Sequence, residues 1–377
     1  MTEKRKNMKK ITEIENLKSK RVLLRLDLNV HIENGEIKDD YRIKRSMKTL
    51  EFLRVGGAKT VIIAHLDEKE GKTLKPVYEY LKKELPISFS NFADTKSSDI
   101  KDGEFLLLEN IRENKGEMEN SEEFAKKLSS LGELYINEAF SVSHREHASI
   151  VGVPKLIPSY AGFLFSEEVE NLSKAFNPER PFLFILAGAK FETKMPLVEK
   201  FLDLADTCFV GGALSNDIFK ARGLEIGKSL VSDQKLDLSR RILSNSKLQT
   251  PTEVVVFNKG KSENKNVKNI EAQDNIVDAG EKTIKDLAKL VDNAKFVLWN
   301  GTLGYYEKGF GKATCDLAKI IADSNAYSIV GGGDTLASIS KLGILDKFSF
   351  VSTGGGAMLD FLATGTLPGI VALQKTF

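Results

Sequence analysis

The chain has 377 residues and a mass of 41.8 kDa, long enough for about two domains that each bury a core. Lysine plus arginine (55) nearly balance aspartate plus glutamate (53), and this net charge of +2 excludes a global field that would recruit nucleic acid or a membrane surface. With 41% hydrophobic and 29% charged residues the composition is that of a soluble globular protein, and no apolar run approaches the roughly 20 residues of a membrane helix.

In chain order, short apolar runs alternate with amphipathic stretches. The opening "MTEKRKNMKK" is charged and lacks the apolar core of a signal peptide, so a cytoplasmic location is expected. The predicted strands are "RVLLRLDLNV", "TVIIAHL", "EFLLLEN", "ELYINEAF", "PFLFILAG", "TCFVGG", "EVVVFN", "KFVLWNG", "YSIVGGG" and "FSFVST". Between them lie predicted helices at 42–54, 121–131, 194–204 and 281–291. This alternation predicts an α/β protein of two doubly wound, Rossmann-like parallel sheets. The prolines around "PKLIPSYAGFLFSEEVENLSKAFNPERP" mark the division. The expected organisation is an N-terminal lobe over 1–157, a connecting helix over 158–176 and a C-terminal lobe over 177–362. Cys208 and Cys315 have no metal-ligand spacing and read as free thiols of a reducing compartment.

Open parallel sheets bind ligands beyond the carboxyl ends of their strands, so those ends carry the functional signal. In the first half they are polar and cationic. Along "VLLRLDLNV" a period of two places Arg25, Asp27 and Asn29 on one face. "TVIIAHL" ends at His65, "LLLENIR" at Arg112, and "YINEAFSVSHREH" leads to His144, Arg145 and His147. "DDYRIKR" opens a helix with Asp40 as cap and Arg42 in the first turn, where the helix dipole disfavours a cation unless an anion is present. A single arginine or histidine at a strand end is ordinarily a paired surface or core residue. Several cations on one rim repel one another unless an anion lies between them, which points to a small carboxylate or phosphate. Nucleic acid is excluded, because no aromatic residues interleave with the arginines.

In the second half the strand ends are glycine-rich: "ILAGAK", "FVGGA", "LWNG", "IVGGGD" and "STGGGA". Tight turns account for one or two such sites, whereas five on one lobe suit backbone approach to phosphate. Lys190 and Lys194, spaced i, i+4, share a predicted helix face, and Asp334 after the first triplet suits a magnesium ion on nucleotide phosphates. No G-x-G-x-x-G follows the first strand of either half, which disfavours a dinucleotide-binding dehydrogenase.

Taken together, "RLDLNV", "DDYRI", "AHL", "LLLENIR", "YINEAFSVSHREHASIVGV", "AGAKFETKM", "FVGGA", "LWNG", "IVGGGDT" and "VSTGGGA" resemble the phosphoglycerate kinases in order and spacing over nearly the whole chain. The resemblance implies a two-lobed, hinge-bending glycolytic enzyme, monomeric, moving phosphoryl between 1,3-bisphosphoglycerate and Mg-ADP. It implies 3-phosphoglycerate held by Asp27, Asn29, Arg42, His65, Arg112 and Arg145, with Arg25 in the basic rim. ATP or ADP would be held by Lys194, Gly211, Gly212, Asn300, Glu307, Gly331, Gly332, Gly333, Asp334 and Thr335, with Asp334 at the Mg2+. Arg42 and Lys190 would be catalytic, Thr353, Gly354, Gly355 and Gly356 would serve closure, and the tail 363–377 would return to the first lobe.

The chain also departs from the family. Where the family usually writes His-Leu-Gly-Arg-Pro, "HLDEKEGK" lacks the arginine and carries three acids, which read first as a solvated loop yet stand to weaken an anion site nearby. That loop leaves open a homologue that binds nucleotide but transfers phosphoryl poorly. Milder departures are His31, Ala213, Glu281 and Thr302.

Overall fold

The computed structural model describes residues 7–67, 73–92, 95, 99–232 and 236–374. The chain folds as two compact units, one taking in residues up to Glu170 and again from Thr364, the other Asn171–Ala363. Each is built on a six-stranded parallel sheet.

The first sheet runs, edge to edge, Ile87–Ser90, Phe105–Leu108, Lys59–Ile63, Arg21–Arg25, Leu134–Asn137 and Ser159–Ala161. The chain starts near the middle, moves to one edge, and then returns to the other side of its first strand. The order therefore reverses between Arg21–Arg25 and Leu134–Asn137, and ligands of doubly wound sheets gather at such a point. The strands are nearly continuous apolar runs because both sides of a parallel sheet are covered: Val22, Leu23, Leu24, Ile62, Ile63, Leu107 and Ile136 are all fully buried. The second sheet runs Leu248–Gln249, Thr207–Val210, Phe182–Leu186, Phe296–Asn300, Tyr327–Gly331 and Phe350–Ser352, and its order reverses between Phe182–Leu186 and Phe296–Asn300. Phe184 stacks on Phe201 at 4.2 Å between ring centroids, which seats the Phe191–Leu204 helix on this sheet.

Three features differ from the sequence-based expectation. "EVVVFN" is a strand, Glu253–Asn258, but it belongs to a separate antiparallel sheet with Lys261–Asn266 and Asn275–Ala279. Its alternating burial shows one wet face, which the valine run disguised. The helix expected over 158–176 starts at Phe163; Ser159–Ala161 is instead the sixth strand of the first sheet, and Lys174–Phe176 a 3-10 turn. The boundary between the units falls inside this helix, after Glu170.

Glu138, fully buried beyond the strand Leu134–Asn137, anchors the start of that helix by accepting hydrogen bonds from Leu164 N (3.0 Å), Phe165 N (3.1 Å) and the Thr49 hydroxyl. A side chain on Gly162 would lie 2.0 Å from the Glu138 carboxylate, so the approach requires glycine. Burial pushes the Glu138 carboxyl up to about 7, against the hydrogen bonds that favour its charged form. A carboxyl raised in the folded state binds its proton more tightly there. Its contribution to stability is full below its ordinary value near 4.5 and is lost as pH rises through about 7. Urea unfolding of Glu138→Gln is therefore expected to show a flatter pH dependence than the parent between these values, by up to about 3 kcal/mol. Parallel curves would remove Glu138 as the titrating group.

The tail re-enters the first unit as the Pro368–Gln374 helix, where Gly369 N donates to Ser143 O at 2.9 Å. Among the described residues no single helix is long and apolar enough to cross a membrane.

Candidate active site

In the first unit, register aligns the strand ends: Arg25 lies beside Ile63 on one side and Asn137 on the other, and Ile62 beside Leu107. The residues just beyond these ends, Asp27, His65, Arg112 and the segment after Asn137, therefore share one rim. The strand itself stops at Arg25, but Leu26 and Leu28 stay buried, so the alternation carries Asp27 and Asn29 to the same side.

Arg25 is fully buried beneath the rim. It donates to Ser149 Oγ at 3.0 Å and to the Leu26 carbonyl, and its Nη2 lies 3.2 Å from His65 Nδ1. Its buried charge is balanced by Glu117, itself fully buried, which accepts from Ser149 N (2.9 Å) and Ser149 Oγ (2.6 Å). Burial, reinforced by Arg25, Arg112, Arg145 and Arg42, holds His65 well below the ordinary imidazole value, so at neutral pH it is an uncharged hydrogen-bonding group. Burial, with Arg112, Arg145, Arg25 and His144 adding to it, brings His147 down to about 4.

Arg42, in the first turn of the Tyr41–Val55 helix, hydrogen-bonds the Asp27 carboxylate, which also accepts from Ser141 Oγ and from Asn29 N at 3.1 Å. Asp27 thus supplies part of the anion that the helix start calls for. Asp40 is the cap residue by position, but its side chain makes no capping bond; it accepts from Tyr80 OH at 2.8 Å and pairs with Lys44 at 3.0 Å. Arg112 donates through Nη1 to Asp67, while its Nε and Nη2 are buried with no partner among the described residues. Arg145 is half-buried on the same rim, close enough in charge to depress both Arg112 and His65.

Asp67 is not the solvated loop residue expected. It accepts from Asn29 Nδ2 at 2.8 Å while its own N–H donates to Asn29 Oδ1 at 3.0 Å. Glu68, Lys69 and Lys72 of the same loop lie outside the described residues. Glu117, Ser141 and Ser149 carry no sequence signal beyond the hydroxyls scattered through "FSVSHREHAS"; Glu117 sits in the short helix Lys115–Met118.

In the second unit Val210, Leu186, Asn300, Gly331 and Ser352 stand in register across the sheet. Gly211 and Gly212, Ala187 and Gly188, Gly301, Gly332 and Gly333, and Thr353 and Gly354 follow these ends, so the glycine segments form one continuous edge. Gly301 faces the reversal point with φ +102°, and a Cβ there would fall 2.0 Å from Ala187 O. Its N–H donates to Thr335 Oγ1 at 2.9 Å, and the single tryptophan, Trp299, donates its indole N–H to Gly301 O at 2.9 Å. Asn300 is buried with Nδ2 3.7 Å from Met358 Sδ. Gly333, at the start of the Gly333–Ser340 helix, has open space where a side chain would stand. Asp334 and Glu307 are exposed, and Gly355 and Gly356 open the Gly356–Thr364 helix beside the buried Thr353 and Gly354.

Lys190 and Lys194 are neighbours but differ in burial. Lys190 is exposed at the position preceding the Phe191–Leu204 helix; Lys194 is buried and donates to Ala187 O at 2.6 Å. Burial pulls Lys194 down to about 8, with Asp334 opposing and Lys190 adding to the fall. The proximity of Asp334 that this requires brings one carboxylate to the same edge. No group of three or more metal-ligating side chains exists among the described residues, so an ion here would take most of its ligands from phosphate and water, the usual habit of Mg2+.

A polar rim with cations converging on one reversal point, and a glycine edge with a buried lysine at another, define an α/β enzyme of phosphoryl transfer. The family model described as phosphoglycerate kinase matches residues 11–365, and the chain belongs to the phosphoglycerate kinase family. It is 41% identical to the phosphoglycerate kinase of Dictyoglomus turgidum over 383 residues, covering 96% of this chain and 97% of that one. It is 38% identical to that of Thermus thermophilus, covering 95% and 97%. Among solved structures, phosphoglycerate kinase from Coxiella burnetii matches with TM-score 0.85 at 36% identity, and that from Pyrococcus horikoshii with TM-score 0.88 at 32%, each covering 97% of this chain and 98% of the other.

Proposed function

We propose that the acceptor, 3-phosphoglycerate, binds the rim of the first unit through Asp27, Asn29, Arg42, His65, Arg112 and Arg145, over the buried Arg25. ATP or ADP binds the glycine edge of the second unit through Lys194, Gly211, Gly212, Asn300, Glu307 and Gly331–Thr335, with Asp334 toward Mg2+. The observation that carries this reading is the guanidinium of Arg112, whose Nε and Nη2 are buried in a polar rim without an acceptor among the described residues: such donors suit a bidentate anion.

The acceptor's carboxylate is ionised near neutral pH and needs no general base. One of its oxygens forms a bond to the γ-phosphorus as the bond from that phosphorus to the β,γ-bridging oxygen breaks, and ADP departs with the electron pair. Lys190 and Arg42 stabilise the charge spread over the phosphoryl oxygens, and the backbone N–H groups of the glycine edge hold the nucleotide. Bound Mg2+ neutralises phosphate charge; Asp334 is the side chain that would hold it. Because acceptor and nucleotide are held by different units, turnover includes a closure step that aligns them, with Thr353–Gly356 taking part. The buried free thiol of Cys208 suits the reducing cytoplasm, where the enzyme acts as a monomer.

Purified protein is expected to form the acyl phosphate from 3-phosphoglycerate and ATP in a coupled assay, and to stop when Mg2+ is chelated. Binding of Mg-ADP with no turnover at saturating 3-phosphoglycerate would overturn the reading in favour of a nucleotide-binding homologue.

A further inference from the structure

Asp67 stands where the family's usual loop has a glycine, and its carboxylate bridges two groups assigned to the acceptor, the Asn29 amide and the Arg112 guanidinium. The reciprocal bond from Asp67 N–H to Asn29 Oδ1 occupies the other end of the same amide. Asn29 thus has its oxygen and one amide hydrogen committed within the protein. Arg112 has one edge taken by Asp67 and its Nε–Nη2 edge left over. An acceptor phosphate or carboxylate seated on that remaining edge would place a second anion on the guanidinium that already holds the first. Asp67 is 43% exposed at its side chain, so water can receive it once it leaves. A rim of four arginines without this carboxylate would be more positive by one charge.

We propose that Asp67 is a built-in competitor of the acceptor: it occupies Asn29 and Arg112 when the rim is empty, is displaced by the incoming anion, and thereby sets acceptor affinity. The proposal rests on the acceptor site assigned above. The pair is only part-buried, with the Asp67 side chain 43% exposed, and the displaced carboxylate is rehydrated, so the expected effect is about fivefold to tenfold rather than several decades.

Three variants and two readouts test this. Asp67→Asn keeps the size and the N–H bond to Asn29 while removing the charge, Asp67→Gly removes the side chain, and Asp67→Glu keeps the charge. Asn and Gly variants are expected to lower KM for 3-phosphoglycerate about fivefold to tenfold, with kcat changed by less than about twofold and KM for ATP unaltered, the mark of lost uniform competition. Asp67→Glu is expected not to lower KM. Inorganic sulfate, titrated by thermal shift without nucleotide, is expected to bind Asp67→Asn more tightly than the parent in the same ratio. An unchanged KM and sulfate affinity would overturn the proposal, and a raised KM would show that Asp67 holds Arg112 in place instead. If the parent shows no turnover while sulfate still separates it from Asp67→Asn, the activity reading fails and the competition stands; turnover with no separation sinks the competition alone.

Discussion

Replacing Lys190 with alanine is expected to lower kcat by about a hundredfold to a thousandfold, the scale on which a group aimed at developing transition-state charge acts. The side chain is exposed and makes no hydrogen bond or ion pair among the described residues, so nothing in the fold depends on it. Its carbonyl accepts from Lys194 N at 3.2 Å and Thr193 Oγ1 at 3.3 Å, and alanine supplies that carbonyl equally well. Thermal stability should therefore match the parent, and KM for both substrates should move much less than kcat. Lys194 offers the contrast. It is buried, bonded to Ala187 O and pulled down to about 8, so its loss would disturb the glycine edge itself and raise KM for nucleotide. Should Lys190→Ala retain more than about a tenth of the parent's kcat, the phosphoryl charge is met by another group.

Gly301→Ala is expected to be the most damaging single methyl addition in the second unit. The new Cβ would meet Ala187 O at 2.0 Å and Ala187 C at 2.4 Å, both backbone atoms of the adjoining strand end, and φ of +102° is a conformation side chains rarely adopt. Neither conflict can be relieved by turning a side chain. A loss of about 3–5 kcal/mol follows, a fall in Tm of roughly 6–20 °C for a unit of this size, or failure to accumulate folded protein. Gly333→Ala is the matched control: its Cβ meets open space and its φ is unremarkable, so Tm should stay within about 2 °C while KM for nucleotide rises. Equal melting of the two variants would show that the edge tolerates displacement of the Ala187 backbone.

The contrast explains how far the sequence could be read. Strand ends and their glycines were legible because apolar runs of five residues followed by glycine are a local pattern, and Lys194, Asn300 and Asp334 follow from it by position. What a glycine does was not legible: Gly301 and Gly333 look alike in the sequence and differ only in what lies across the sheet. The cationic rim is likewise visible as Arg25, His65 and Arg112 at three strand ends, yet the sequence does not show that Arg25 and His65 are both buried against each other, nor that the counter-charge of Arg25, Glu117, arrives from the short helix Lys115–Met118 through Ser149. The edge strand Ser159–Ala161 has too few residues to carry a periodicity, and the apolar run "EVVVFN" does not state which sheet receives it. Asp67 looked solvated for the same reason, since its partners are set by register rather than by its neighbours in the chain.

The discontinuity of the first unit bears on how the protein is made. The helix Pro368–Gln374, with its bond from Gly369 to Ser143, is synthesised after every residue of the second unit. On the ribosome the second unit therefore has all its segments available while the first, although it emerges earlier, still lacks one. Of the two units, the one whose first segment is made earlier is completed later.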